Sequence, residues 1–394
     1  YQVLLMLLPI ITTPYISRVL MPENIGRFNY TYSIISIFII IAQLGTNMYA
    51  QREIAYVQSN IEERSKVFFE ILIIRISSTL VISPFYLNLV ILLKDYSTLM
   101  LWMGIYLIAN VIDISWFFQG MEEFKKTAIR SIGVKLIGVI MIFSLVKNPE
   151  HLIRYTIILA VSQLIGNALL VFCIPKKVKK INLKDLKLKR HIKPVLALFL
   201  PTAAIYVYTY VDKILLGSLS TTEQLGYYSQ AEKIVKLLMT ILTSLGIVLL
   251  PHIATVIKNG DKKQIKQKVS EAMNFIIFLG CPIVIGGFIV ANRFIPWFLG
   301  NNYTPAILVF KVLTPLILII GTASVVGQAV LIPLKKQKVY TISVIVGALL
   351  NLIFNLLFIP RLEGVGAAIS TIIAELTVTS IQALAIYRYI GVNI

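Results

Sequence analysis

Charge is scarce in this 394-residue chain: 14% of its residues are Asp, Glu, Lys or Arg and 57% are hydrophobic. A soluble domain carries about 25% charged and 45–50% apolar residues, so a water-soluble globule is excluded. Cysteine is nearly absent. Cys173 and Cys281 stand alone and far apart in apolar runs, which excludes a disulfide framework and gives no metal-ligand spacing. The three histidines, His151, His191 and His252, lie at the ends of apolar runs or in connections. No Walker-type phosphate loop, nucleophile elbow or HExxH occurs, so no catalytic residue, metal or cofactor is expected. Acidic residues are few as well, 18 against 37 Lys and Arg, for a net charge of +19.

What is present is a series of apolar runs, each near the roughly 20 residues that a membrane helix needs. They fall near 1–20, 27–50, 66–93, 97–119, 127–146, 151–174, 194–217, 225–250, 269–299, 305–333, 339–359 and 364–388, twelve in all. The chain starts at Tyr1 inside such a run, with no Met and no basic stretch before it. That reads as a first span lacking its beginning rather than as a signal peptide. The connections alternate in charge: one side collects 24 Lys and Arg, counting Arg388, against six on the other. The positive-inside rule places the rich side, and with it both termini, in the cytoplasm. The excess charge is therefore a topology signal with some attraction to anionic lipid, and no nucleic-acid partner is expected.

The chain also repeats itself. Residues 22–30 read PENIGRFNY and residues 222–230 read TEQLGYYSQ, and Leu44-Gly45 is echoed by Leu245-Gly246. Six spans are thus followed by six more in the same order and orientation, which predicts parallel repeats about an axis along the membrane normal. The expected fold is an all-α polytopic membrane protein of about twelve helices, built as two six-helix lobes around a central cavity. Residues 1–174 and 194–394 are the expected lobes, joined by a basic cytoplasmic linker at 175–193 that contains KKVKKINLKDLKLKR. Its Lys and Leu spacing fits either an amphipathic helix on the inner leaflet or a solvated connection.

Polar residues inside the spans locate the expected path. In the eighth span Ser229, Lys233, Lys236, Thr240 and Thr243 are spaced by four, three, four and three, which keeps them on one helical face. Two hundred positions earlier, Asn29, Ser33, Ser36 and Gln43 occupy equivalent places in the second span. The seventh span repeats the rhythm with Thr202, Tyr206, Thr209 and Lys213. Such faces are costly in hydrocarbon and demand water or polar partners. The expected substrate-binding residues are Arg18, Lys213, Lys233, Lys236, Asn29, Ser33, Gln43, Thr240 and Arg75; Asp113, Asp212 and Glu232 are candidates for a coupling ion. Cations in a wet cavity suit an anionic group such as a phosphate. Lysine snorkelling to the interface, or a pair with Glu232, is the alternative for Lys233 and Lys236. Lys135, Arg293, Lys311 and Glu375 are read as structural.

Four stretches carry a family resemblance: TTPYISRVLMPENIGRFNYTYSI (12–34), LGTNMYAQREIA (44–55), YTYVDKILLGSLSTTEQLGYYSQAEKIVK (208–236) and IPRLEGVGAAIST (359–371). Together they resemble the polysaccharide biosynthesis flippases of the Wzx or O-antigen type, in the superfamily that also holds the MATE multidrug exporters and the lipid II flippase. Met21 stands where that family usually has Gly. The resemblance implies a bacterial cytoplasmic-membrane flippase, without enzymatic activity, that moves an undecaprenyl-diphosphate-linked oligosaccharide from the inner to the outer leaflet by alternating access. It implies membrane lipids and the polysaccharide polymerase machinery as further partners. By the same resemblance, Glu232-Lys233 after Tyr227-Tyr228 matches an acid–base pair at the start of the lipid II flippase's eighth helix. An ion-coupled drug exporter of the same fold is the first rival, and it predicts an acid-lined lobe. A membrane polysaccharide polymerase or ligase is the second, and it needs larger outer loops than this chain has.

Overall fold

The structure, a computed structural model, describes residues 2–174, 177–258 and 262–390; the side chains of 2–7, 183, 200–202, 204, 205, 207, 208, 245–252, 258, 262 and 390 are outside the description. Among the described residues the architecture is helical throughout, with no strand. In chain order the helices are α1 (Gln2–Gln43), α2 (Thr46–Tyr56), α3 (Ile61–Leu92), the short α4 (Ser97–Met103), α5 (Ile105–Ile112) and α6 (Ser115–Gly120), then α7 (Phe124–Leu145) and α8 (Leu152–Val171). They continue as α9 (Lys189–Leu219), α10 (Thr222–Lys258), α11 (Lys262–Leu299), α12 (Ala306–Leu313), α13 (Leu316–Ala323) and α14 (Gln337–Ile390), with a π-helical stretch at Ser324–Leu331.

Eight stretches among the described residues are long and apolar enough to cross a membrane. Two of them, Leu8–Tyr56 and Gln337–Tyr389, hold 49 and 53 residues, enough for two passes each. Both are broken in the middle, at Met21 (φ 65°, ψ 165°) and at Glu363 (φ 49°, ψ −128°). Helices α9 and α10, of 31 and 37 residues, stand outside those eight, and with them the passes number twelve. Large apolar side chains cover the outside: Phe172 and Phe278 are each 79% exposed. In water such a surface would aggregate, whereas against lipid it is the interface.

The chain divides into two units: Tyr1–Leu20 with Arg27–Tyr210, and Met21–Gly26 with Val211–Ile394. Unit 1 has an aromatic core in which Phe68 meets Trp116 at 5.6 Å and Phe117 at 5.3 Å, flanked by Tyr49, Leu170 and Val195. At its lysine-rich end α3 starts on Asn60, whose side chain accepts the amides of Glu62 (3.0 Å) and Glu63 (3.2 Å).

The expected basic linker groups with unit 1 and is tied to α3. Arg64 donates two hydrogen bonds to the Lys177 carbonyl (3.0 and 2.7 Å), and Ser65 Oγ accepts the Lys179 amide (2.9 Å). Glu70, 1% exposed, accepts the Lys187 amide (2.6 Å) and the Arg190 guanidinium (2.6 Å), and lies 2.7 Å from His191 Nε2. His191 Nδ1 in turn sits 2.7 Å from the Tyr49 hydroxyl. Between residue 177 and α9 only Leu183–Asp185 is helical, as one 3₁₀ turn. The segment is therefore neither a surface helix nor a free connection, because α3 side chains take the main-chain groups that a helix would bond internally. Lys177 and Lys126 both reach Glu123; burial raises that carboxyl's pKa, but their hydrogen bonds outweigh it and hold the group below its usual range.

In unit 2 the sequence repeat meets itself. A Cβ on Gly26 would fall on the Thr222 carbonyl oxygen, and one on Gly226 would fall on the Pro22 carbonyl oxygen. Positions 22 and 222, and 26 and 226, are equivalents in the repeat, so the contact is reciprocal, as a local twofold requires. Glycine is needed at both places because main chain passes where a side chain would begin.

Candidate functional site

The twelve expected site residues divide evenly: Arg18, Asn29, Ser33, Gln43, Arg75 and Asp113 lie in unit 1, and Asp212, Lys213, Glu232, Lys233, Lys236 and Thr240 in unit 2. In unit 2, Lys213, Glu232, Lys233 and Lys236 form one charged cluster on facing turns of α9 and α10. Glu232 accepts Lys213 Nζ from α9 at 2.9 Å and Lys236 Nζ, one turn along α10, at 2.5 Å. Lys233 is half-buried and, among the described residues, has no carboxylate within 4 Å. Two lysines thus share one carboxylate while a third has none, which leaves the cluster positive. Thr240, further down the face, returns its hydroxyl to the Leu237 carbonyl (2.6 Å).

Asp212, 6% exposed, belongs to a separate network with α14. Its Oδ1 accepts Asn355 Nδ2 (2.7 Å) and its Oδ2 accepts the Thr371 hydroxyl (3.1 Å). Asn355 also donates to Asn351 Oδ1 (3.0 Å), whose own amide lies 3.5 Å from Asp212. Tyr228 of α10 reaches Thr371 at 3.3 Å. No described lysine or arginine lies within ion-pair distance of this carboxylate.

Unit 1 closes its polar residues on themselves. Ser33 and Ser36, 0% and 5% exposed, donate to the carbonyls of Asn29 (2.7 Å) and Tyr32 (2.6 Å) on their own helix. Gln43 donates to Asn110 Oδ1 (2.7 Å), which also accepts Arg75 Nη2 (3.0 Å). Arg75 is completely buried, and its Nη1 bonds the Asp113 main-chain carbonyl (2.7 Å). The Asp113 carboxylate instead caps the start of α6 through the Ser115 amide (3.0 Å). Arg18 is exposed near the Met21 break. Beside Asn29 and Ser33, Tyr32 stands among rings: Phe28 at 5.7 Å, Tyr106 at 5.6 Å and Tyr210 at 6.4 Å. Tyr206 is exposed and Thr209 half-buried, while Thr202 lies outside the described side chains.

Residues 1–257 match the family described as polysaccharide biosynthesis protein. The chain belongs to that family. Among its relatives, a candidate O-antigen transporter of Escherichia coli (strain K12) is 24% identical over 390 residues, covering 96% of this chain and 92% of the relative. The lipid II flippase MurJ of Bacillus subtilis (strain 168) is 23% identical over 173 residues, 41% of this chain and 30% of that protein. In fold the chain resembles an inward-facing MATE multidrug transporter of the MOP superfamily, with TM-score 0.76, 15% identity and coverage of 98% and 94% of the two chains. Membership in the polysaccharide biosynthesis family thus comes with a MATE-type helical fold.

Sequence reasoning missed the polar shells of this family member: Asn110 around Arg75, and Asn351, Asn355 and Thr371 around Asp212. Asn351 and Asn355 carried a visible signal. Two Asn four residues apart in the apolar run VIVGALLNLIFNLLF share one helical face and need a partner.

Proposed function

We propose that this chain translocates an undecaprenyl-diphosphate-linked oligosaccharide from the inner to the outer leaflet of a bacterial cytoplasmic membrane, by alternating access and without a chemical step. Lys233 is the observation that carries this reading. A half-buried ammonium without a carboxylate, beside two lysines that already share Glu232, suits a ligand that brings its own negative charge. A diphosphate-linked glycan cannot cross hydrocarbon unaided, since desolvating its charges and hydroxyls is prohibitive. Lys213, Lys233 and Lys236 of unit 2 are assigned to the diphosphate. In unit 1, Asn29 and Gln43, with the rings around Tyr32, are assigned to the sugar, and Ser33 shapes that face.

Asp212 is assigned to coupling. A carboxylate held by two amides and a hydroxyl can take up a proton or a monovalent cation without losing its surroundings. Glu232 is assigned to hold the lysines, and Arg75 and Asp113 to brace unit 1. The lysine-rich face is assigned to the cytoplasm, with both termini there, and the polysaccharide polymerase machinery to the receiving side. The drug-exporter reading is weaker, because Glu232 is already neutralised by two lysines and Asp212 is buried against Asn355 and Thr371.

Expression in a bacterium deleted for its own O-antigen flippase tests the proposal. The chain should restore surface glycan. Removing a charge-assisted bond to phosphate costs about 1.5–3 kcal/mol, or about 10- to 150-fold in affinity. Lys233→Ala should therefore nearly abolish export at normal protein level, and Thr240→Ala should be mild. No restoration by the wild-type chain at normal level would sink the reading.

A further inference from the structure

Unit 1 holds a polar cavity of about 420 Å³, lined by none of the residues assigned above. It opens between α6, the first turns of α7, and α8. Arg130 and Lys135 of α7 supply two cations, while Gln119, Thr127, Ser131 and Gln163 supply amides and hydroxyls; no carboxylate lines it. The opposite face of α7 carries Ile129, Leu136, Ile137 and Ile140, all exposed, as a lipid-facing side would.

The cations are placed by the fold rather than scattered. Arg130 Nη1 donates to Asn167 Oδ1 (2.9 Å), and buried Asn167 is itself fixed by donating to the Ala109 carbonyl (2.7 Å). Gly166 lets α8 approach: a Cβ there would meet Val134 at 2.8 Å and the Arg130 stem at 3.4 Å. At 1.5 Å per residue Lys135 stands roughly 16 Å from the start of α7, deep enough for uncompensated charge to be costly. Among the described residues Lys135 has no carboxylate within 4 Å, so a purely structural role leaves its charge unanswered.

We infer that this cavity binds the phosphate or diphosphate group of an amphiphilic lipid, whose chain lies along the apolar side of α7. Basic pockets between membrane helices recognise such head groups. The phosphate accepts from the Arg130 guanidinium and the Lys135 ammonium, and Ser131, Thr127 and the two glutamines reach whatever the phosphate bears. The head group belongs either to the carrier lipid of the proposed substrate or to an anionic bilayer phospholipid.

Native mass spectrometry of the purified full chain, titrated separately with undecaprenyl diphosphate and with phosphatidylglycerol, tests this. The double variant Arg130→Gln/Lys135→Gln should bind at least one probe about tenfold more weakly than wild type, as expected for lost charge-assisted bonds. The control Lys94→Gln should bind both as wild type does. Loss confined to undecaprenyl diphosphate assigns the site to the carrier lipid, and loss confined to phosphatidylglycerol assigns it to a bilayer lipid. Undiminished binding of both probes overturns the site. Should the double variant fail to fold, Lys135→Gln alone, at an exposed position, replaces it: weaker binding of either probe supports the site, and undiminished binding of both overturns it. Binding is read without transport, so failure here is distinguishable from failure of the flippase reading.

Discussion

Unit 1 buries a guanidinium, and unit 2 buries a carboxylate. Arg75 and Asp212 are 0% and 6% exposed, each on a membrane helix, and each is hydrogen-bonded by an asparagine side chain and makes no ion pair within 4 Å among the described residues. Asn110 turns its carbonyl oxygen to Arg75, and Asn355 turns its amide nitrogen to Asp212. The likeness ends at titration. A guanidinium stays charged at any physiological pH, so Arg75 is a permanent strut. A carboxylate loses its charge with one proton, which is what the coupling role proposed for Asp212 requires. One unit thus buries a fixed charge and the other a titratable one.

Removing the strut should have the largest effect on stability. Arg75→Met leaves the Asp113 carbonyl orphaned and a void behind, for a loss of about 2–5 kcal/mol. Thermal unfolding of the detergent-purified protein should show it directly; a wild-type melting point would refute the strut. Asp212→Asn should do the reverse. The amide is nearly isosteric and still accepts from Thr371, but its nitrogen then meets the Asn355 amide nitrogen. The melting point should therefore fall far less than in Arg75→Met, while coupled transport falls on the order of 5- to 150-fold, the span of a 1–3 kcal/mol coupling. A variant that melts early but transports normally would erase the contrast.

Charge insertion sharpens the comparison by sign. Asn110→Asp sets an anion beside Arg75 and should be tolerated, whereas Asn355→Asp sets a second anion beside Asp212 and should cost about 1–3 kcal/mol at neutral pH. Equal melting points for the two variants would mean that the shells do not sense the charge they surround. Smallest is Met21→Gly. Met21 occupies a region of backbone space that is essentially restricted to glycine, and relieving it should raise stability by about 1 kcal/mol, visible as a higher melting point.

Much of this is legible in the sequence. Twelve apolar runs, their alternating charge and the repeat at 22–30 and 222–230 are local patterns, and Met21 in a glycine position marks the first break. The lysines of α10 are legible too, because a cation in an apolar helix declares itself. Their partition is not. Whether Glu232 answers to Lys213, Lys233 or Lys236 depends on the rotation of α9 against α10, which no local pattern sets. The asparagine pair shows itself, but its partner is hidden for the same reason: Asn355 and Thr371 lie 143 and 159 positions from Asp212. The linker misleads because its Lys and Leu spacing suits a surface helix, while its main-chain partners, Arg64, Ser65 and Glu70, lie more than a hundred residues upstream.

Proteoliposomes loaded with an undecaprenyl-diphosphate-linked oligosaccharide test the central claim most directly, with a glycan-cleaving enzyme outside to report the head groups that reach the outer leaflet. The account predicts faster cleavage with the wild-type chain than in empty liposomes. It predicts a loss of about tenfold or more for Lys233→Ala. Lys311→Ala, which removes an ammonium resting 5.0 Å from the Phe288 ring, should behave as wild type. Cleavage no faster than in empty liposomes, or equal slowing by Lys233→Ala and Lys311→Ala, would contradict it.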